Sequence, residues 1–383
     1  MSRADALDAY ERLPIPDTAE EHWRFTDLRG FDPETFTGAA SAEISTLLDL
    51  DVAGYATVTA DGIDISKAPE GVTFELLSED DERLYSLVGW DEKFAAHNAA
   101  MWKHGLLVRV PKGVVLEKPL YVRIAVTGQT FWRLVVVAEE GARASLIEEY
   151  ASPSDETAAY SNAVTELFVE PTAKLEYVSL QNLSKETWHF ASHHARVERD
   201  AELDWVAGGF GSKKGKTRIQ NDLNGRGATS RVTGAYFADG TQHLDYDTFQ
   251  EHAAPDCESD FAFKGALRDE ATAVWRGMIR VERDAQKTNA YQECRNLMLS
   301  PTTHAVPIPG LEILANDVRC THGATVGRVD REDLFYLMSR GLRRPEAERL
   351  IVRGFFQDVL DRIELEPVRE AVTAALEARI PQA

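Results

Sequence analysis

The chain has 383 residues, of which 63 are acidic and 42 basic, for a net charge of −21. That excess excludes a nucleic-acid binder, which needs a dominant basic face to neutralise phosphates, and a composition 44% hydrophobic and 27% charged excludes global disorder. Only 12 of the basic residues are Lys against 30 Arg, and an acid-rich, Lys-poor surface suits concentrated salt, which screens self-repulsion.

The opening, MSRADALDAYERLPIPD, has none of the parts of a signal peptide, and apolar runs such as LVVVA at 134–138 are far too short to span a bilayer. A cytoplasmic protein with no membrane segment is expected. Three widely spaced cysteines, Cys257, Cys294 and Cys320, fit a reducing compartment and supply neither a disulfide nor a zinc framework. Residues 1–104 read as a mixed N-terminal region. DALDAYERL opens it as a helix, and 81–102 places Leu84, Leu87, Val88, Phe94 and Ala95 at helical spacing.

From 105 to 325 the pattern turns to short β-branched and aromatic runs such as GLLVRV, PLYVRIAV, FWRLVVVA and AVTELFVE, punctuated by Gly, Pro, Asn and Asp. A stretch this long without a helix exceeds one ordinary sandwich, so two sandwiches, a large barrel or a stacked β-helix remain open. No exact short repeat is visible. Residues 326–383 read as a helical domain: Asp330 stands as an N-cap before LFYLMSRG, and Pro345 suits a first turn. Leu350, Ile351, Phe355, Val359 and Ile363 then form an apolar stripe, and EPVREAVTAALEARI makes a last helix.

GGFGSKKGKT at 208–217 fails as a phosphate loop, because Phe210 stands where the motif needs Gly and the following TRIQNDLNG reads as strand rather than helix. The sharper site is NDVRCTHGATVG at 316–327. On a strand, Cys320 and His322 project from one face, where a thiolate and an imidazole can ligate iron or act as nucleophile and base. A buried Cys beside a hydrogen-bonded His is the plainer reading of such a pair. One chain with three scattered cysteines cannot house an iron–sulfur cluster alone, which points to a site shared between subunits. His193 and His194 face opposite sides of a strand and form no ligand pair. His243 and His252, flanking DYDTFQ near Cys257, read as packing or hydrogen-bonding residues, and Glu170 and Glu176 as solvated surface.

Several stretches together resemble the SufB/SufD scaffold family of the SUF iron–sulfur cluster assembly system. They are EHWRFTDL (21–28), NAAMWKHGLLVRVPKGVVLEKPL (98–120), LNGRGATSRVTGAYFADGTQHLDYDTFQEHAAPDCESDFAFKGAL (223–267), AQKTNAYQECRNLMLSP (285–301) and LEILANDVRCTHGATVGRVDREDLFYLMSRGL (311–342). Within the family the chain is more similar to the SufD type. SufB-like sequences usually carry Glu directly after the Cys-x-His pair, whereas Gly323 stands here, and 383 residues is nearer the shorter subunit. A SufB-like scaffold is the near alternative.

The resemblance implies a mainly β protein with helical ends, a right-handed parallel β-helix flanked by an N-terminal α/β region and a C-terminal helical domain. It implies a non-catalytic scaffold subunit that pairs with a SufB-like subunit, or with itself when that partner is absent, and binds a SufC-like ABC ATPase. Cys320 and His322 then fall at the subunit interface, where a transient cluster or iron is assembled, with the histidine as the implicated residue and the essential thiolate from SufB. Arg340, Gly341, Glu346, Ala347 and Phe355 match the ATPase-binding segment. No permanent cofactor is implied, though a reduced flavin in the complex is compatible. From other classes come a β-helical carbohydrate-active enzyme using cleft carboxylates and a Cys–His hydrolase. The second lacks an orienting group and an oxyanion hole in the sequence.

Overall fold

The computed structural model describes residues 3–37, 44 and 47–380. From His104–Val110 onward its strands alternate along the chain between two sheets. One has ten strands running from Gly62–Lys67 to Arg319–Arg328, the other nine running from Thr73–Leu76 to His304–Ile313. From Gly54–Thr59 and Leu120–Ala125 onward, every pairing within the first sheet is parallel and in register, one coil on the next. This is a parallel β-helix of about eight turns. The β-helix is therefore the choice among the all-β options that the strand pattern had left open.

The coils are stacked by a recurring corner. Gly113, Gly141, Thr172, Asp200, Gly227, Asp256 and Lys287 all adopt φ between 54° and 74°. Each N–H donates to a carbonyl one coil further on: Gly113 to Glu140, Gly141 to Pro171, Thr172 to Arg199, and so on to Lys287 and Asp317, at 2.5–3.2 Å. In six of the seven corners the next residue is small and turns inward: Ala142, Ala173, Ala201, Ala228, Cys257 and Thr288 are all buried. A left-handed residue followed by a small one thus closes each coil and satisfies its own backbone. The glycine-rich stretch 208–217 joins two strands, Glu202–Gly209 and Lys214–Leu223, and opens no helix.

The interior is filled by Val, Leu, Ala and aromatic side chains that stack along the coils, with Trp132, Trp205 and Trp275 among the largest. At the N-terminal end, α1 (Arg3–Arg12) lies on α2 (Lys93–Met101), where Tyr10 stacks on His97 with ring centroids 4.0 Å apart. The helix expected over 81–102 begins only at Lys93. Before it, the buried Glu166 carboxylate accepts the N–H groups of Tyr85, Leu87 and Val88 at 2.8–3.1 Å, and Tyr85 has φ 64°. A carboxylate that takes three consecutive-turn donors offers the backbone a better bargain than helix there, and Arg133 completes the charge at 3.2 Å.

After the last strand come α3 (Arg331–Ser339), α4 (Arg344–Leu360) and α5 (Glu366–Arg379). Asp330 caps α3 as expected, its carboxylate accepting from the Glu332 N–H at 2.8 Å. The α4–α5 hairpin folds back onto the outer face of the first sheet. Val352, Phe356, Val359, Leu360, Val368 and Val372 bury against Val178, Val206, Phe237 and their neighbours. The apolar stripe of α4 is therefore rotated from the expected one: Val359 and Ile363 are buried, but Leu350 faces solvent.

Candidate functional site

Cys320 and His322 lie on the final strand of the first sheet, Arg319–Arg328. Cys320 stacks in register on Ala290 and His322 on Gln292, which stack in turn on Ser259 and Phe261. Those lower residues are buried in the β-helix interior, so the pair continues an inward-facing column to the last rung. Among the described residues no coil covers that rung. His322 is exposed and Cys320 half-buried, as is most of the adjoining strand His304–Ile313. Beneath His322 the Gln292 amide donates to the carbonyls of Gly310 (2.9 Å) and Gly277 (3.2 Å), tying the two sheets together under the pair.

Partial burial raises the Cys320 thiol above its ordinary pKa. Burial pushes Cys294 up to about 12, and Cys257 is raised too while donating to the Gly225 carbonyl at 3.3 Å. Neither of these joins Cys320. Among the described residues no three His, Cys, Asp or Glu side chains come together to hold a metal. Cys320 and His322 can supply two ligands at an open edge.

The four other histidines singled out in the sequence pack or hydrogen-bond within the fold. His193 is buried inside the β-helix, where burial lowers its pKa to about 3, and His194 faces out to Asp222 at 2.7 Å and the Leu87 carbonyl at 3.0 Å. His252 is buried and bonds Ser259 at 2.8 Å, while His243 meets Thr26 at 2.9 Å. Glu170 pairs with Arg83 at 2.9 Å. Glu176, read from the sequence as solvated, is instead largely covered by the α4–α5 turn.

The residues matched to an ATPase-binding segment divide by environment. Arg340 closes α3 and lies over the Tyr336 ring, and Gly341 follows at φ 97°. Glu346 caps α4 by accepting from the Arg343 N–H at 2.8 Å. Phe355 packs under the Lys264 ammonium, and Ala347 is fully buried. Sequence reasoning passed over three of the more accessible apolar residues of this end and placed the fourth, Leu350, in an apolar stripe: Phe335 is 74% exposed, with Tyr336, Met338 and Leu350 also prominent. Their type suggested core, and only the fold turns them outward as exposed apolar side chains.

A cavity of about 410 Å³ lies elsewhere, between the 13–23 segment, the start of α2 and the outer face of the second sheet. Several of its charged groups are paired, His22 with Asp247 at 2.6 Å, Lys216 with Asp245 at 2.7 Å, and Arg218 with Glu92.

Comparison with known proteins bears on the open rung. Residues 123–355 match the family described as SUF system FeS cluster assembly, SufBD core domain. The chain belongs to the SufBD family. It is 31% identical over 382 residues to an iron–sulfur cluster assembly SufBD family protein of Mycobacterium tuberculosis, covering 97% of this chain and 90% of that one. A Mycobacterium leprae relative is 30% identical over 385 residues, covering 97% and 91%. One from Staphylococcus saprophyticus is 30% identical over 279 residues, covering 72% and 60%. The SufBD core match takes in both the Cys320–His322 rung and the start of the helical end.

Proposed function

We propose that this chain is a non-catalytic, SufD-type scaffold subunit on which iron–sulfur clusters are assembled at an interface with a SufB-type partner. The observation that carries this reading is the placement of Cys320 and His322 in one register column on an uncovered terminal rung. A second β-helix docking there would bring its own ligands to within reach of both. The cluster is cargo: His322 offers an imidazole to incoming iron, and the partner's thiolates complete a coordination set that this chain cannot supply. Gly323, where a SufB-like chain has Glu, favours the SufD-type role.

The helical end fits an ABC ATPase through the exposed Phe335, Tyr336, Met338 and Leu350 surface, with Arg340 at its edge. ATP-driven approach of two such ATPases would shift the interface between closed and open states in proportion to its different affinity for each.

The test is co-purification with SufB-type and SufC-type partners followed by anaerobic cluster reconstitution. His322→Ala should leave the complex assembled and lower cluster yield at least tenfold. Normal cluster yield in that variant, or turnover of a glycan or ester by the chain alone with no partner bound, would refute the scaffold role.

A further inference from the structure

The α4–α5 hairpin is fastened to the first sheet at both ends and loaded in the middle. Lys264 donates to the Phe355 carbonyl at 2.7 Å and pairs with Asp358. Arg379 donates to the Phe210 carbonyl and to Asn182 at 2.7 Å. Between these anchors, the turn at 361–365 presses onto a row of polar and charged residues from adjacent strands: Ser145, Glu176, Asp204, Arg231 and Asp260, each in register with the next.

Glu176 and Asp204 are direct neighbours in that row, on strands that lie about 4.8 Å apart. One oxygen of each carboxylate is bonded: Glu176 accepts from the Ser145 hydroxyl at 3.0 Å, and Asp204 from Arg231 Nε at 3.0 Å. Of the other oxygens, Asp204 Oδ1 is buried with no hydrogen-bond partner, and the buried Glu176 Oε1 has no side-chain donor, the Leu365 N–H being the one backbone donor turned towards that carboxylate. From the hairpin, the groups that face them are the Glu364 carboxylate, the Leu365 N–H and the Arg362 guanidinium. Arg362 is engaged with Asp260 at 3.2 Å and Thr233 at 3.1 Å, and Arg231 is shared between Asp204 and Glu364. Glu176, Asp204 and Glu364 therefore crowd together at the turn, with Arg231 bonded to the latter two. Two acceptors side by side out of water repel when both are ionised, and one proton turns the repulsion into a donor and an acceptor.

We infer that Glu176 and Asp204 form a proton-dependent clasp that holds the α4–α5 turn to the β-helix tightly when protonated and loosely when ionised. Burial, and next the Asp204 charge, push Glu176 up to about 7, and burial raises Asp204 as well. With the hairpin detached, Glu176 returns to the ordinary carboxylate range. The docked state then binds more protons from that range up to about pH 7, so docking weakens as pH rises through this window and levels off above it. One proton limits the slope to tenfold per pH unit. The clasp does not depend on which partners the chain has.

The test is hydrogen exchange of α5 amides in the full chain, expressed as protection factors corrected for intrinsic rates, from pH 5.5 to 8.5. Wild type should lose protection by up to about tenfold per unit between pH 5.5 and 7 and then plateau, while α2 amides serve as an unaffected reference. Glu176→Gln should hold the acidic level of protection at every pH, and Glu364→Gln should move the fall to lower pH. In difference infrared spectra, a protonated-carboxyl band present at pH 6 should vanish in Glu176→Gln. An undiminished pH slope in Glu176→Gln overturns the clasp. So does recovery of α5 protection at pH 8.5 on adding magnesium or calcium, which would make the carboxylate pair a cation site.

Discussion

Three thiols of one chain sit in three environments, and those environments set their reactivity. Thiolate is the reacting species, so burial slows alkylation both by raising the pKa and by shielding the sulfur. Cys320 is half-buried at the edge, whereas Cys257 and Cys294 are enclosed. In the native chain at pH 8, iodoacetamide should modify Cys320 first, though more slowly than an unstructured cysteine peptide, with the rate rising towards pH 9. Cys257 and Cys294 should react only after denaturation. Mass spectrometry of the time course checks this, and equal labelling of all three would contradict the rung geometry. The Cys320–His322 pair was legible because i and i+2 share a face on any strand. Glu176 was not, since nothing in the residues around it tells that a segment nearly 190 positions later folds over it.

The coil corner is the element on which the β-helix is built, and it sets a stability rule. A residue with a Cβ in the left-handed region is disfavoured by about 1–2 kcal/mol, yet Thr172, Asp200, Asp256 and Lys287 all occupy it. Lys287→Gly should stabilise the chain by about 0.5–1 kcal/mol after the entropy of the added glycine is deducted. Gly227→Ala should destabilise by about 1–2 kcal/mol, because its φ is 74° and a Cβ would lie 2.5 Å from Asp200 Oδ1. Equilibrium denaturant titration measures both, and a stabilised Gly227→Ala would refute the assignment of the corner. The repeat escaped notice in the sequence because conformation recurs at this corner and identity does not: Gly, Thr, Asp and Lys alternate, followed by Ala, Cys or Thr. The misplaced start of α2 has a similar origin, since 81–92 has helical spacing but spends its N–H groups on Glu166.

At the scale of the whole molecule the net charge of −21 remains the dominant fact. Acidic side chains outnumber basic ones by 21, and salt shortens the reach of their repulsion from about 10 Å at 0.1 M to about 3 Å at 1 M. The unfolding midpoint should therefore rise by several degrees from dilute buffer to molar KCl at pH 7. Scanning calorimetry in the two solvents decides it, and equal midpoints would remove salt adaptation as the explanation of the composition. The terminal rung and the exposed α3 surface lie at the C-terminal end of the solenoid, so partner surfaces there need not disturb the buried column of the remaining coils.

The composition, the β-rich middle, the helical end and the Cys-x-His motif were determined by the sequence alone, because hydrophobic periodicity, capping residues and strand alternation are local. Which all-β architecture those strands build is decided by pairing between segments about 30 residues apart, and strand propensity carries no record of its partner. The same holds for the sites. That Cys320 and His322 share a face is local geometry, but that their rung is the uncovered one follows only from where the stack of coils ends. The direction of Phe335 and Leu350, and the burial of Glu176 beneath the hairpin, likewise depend on which face of α4 and α5 meets the sheet. Burial and exposure belong to the assembled surfaces, and the assembled surfaces belong to the tertiary structure.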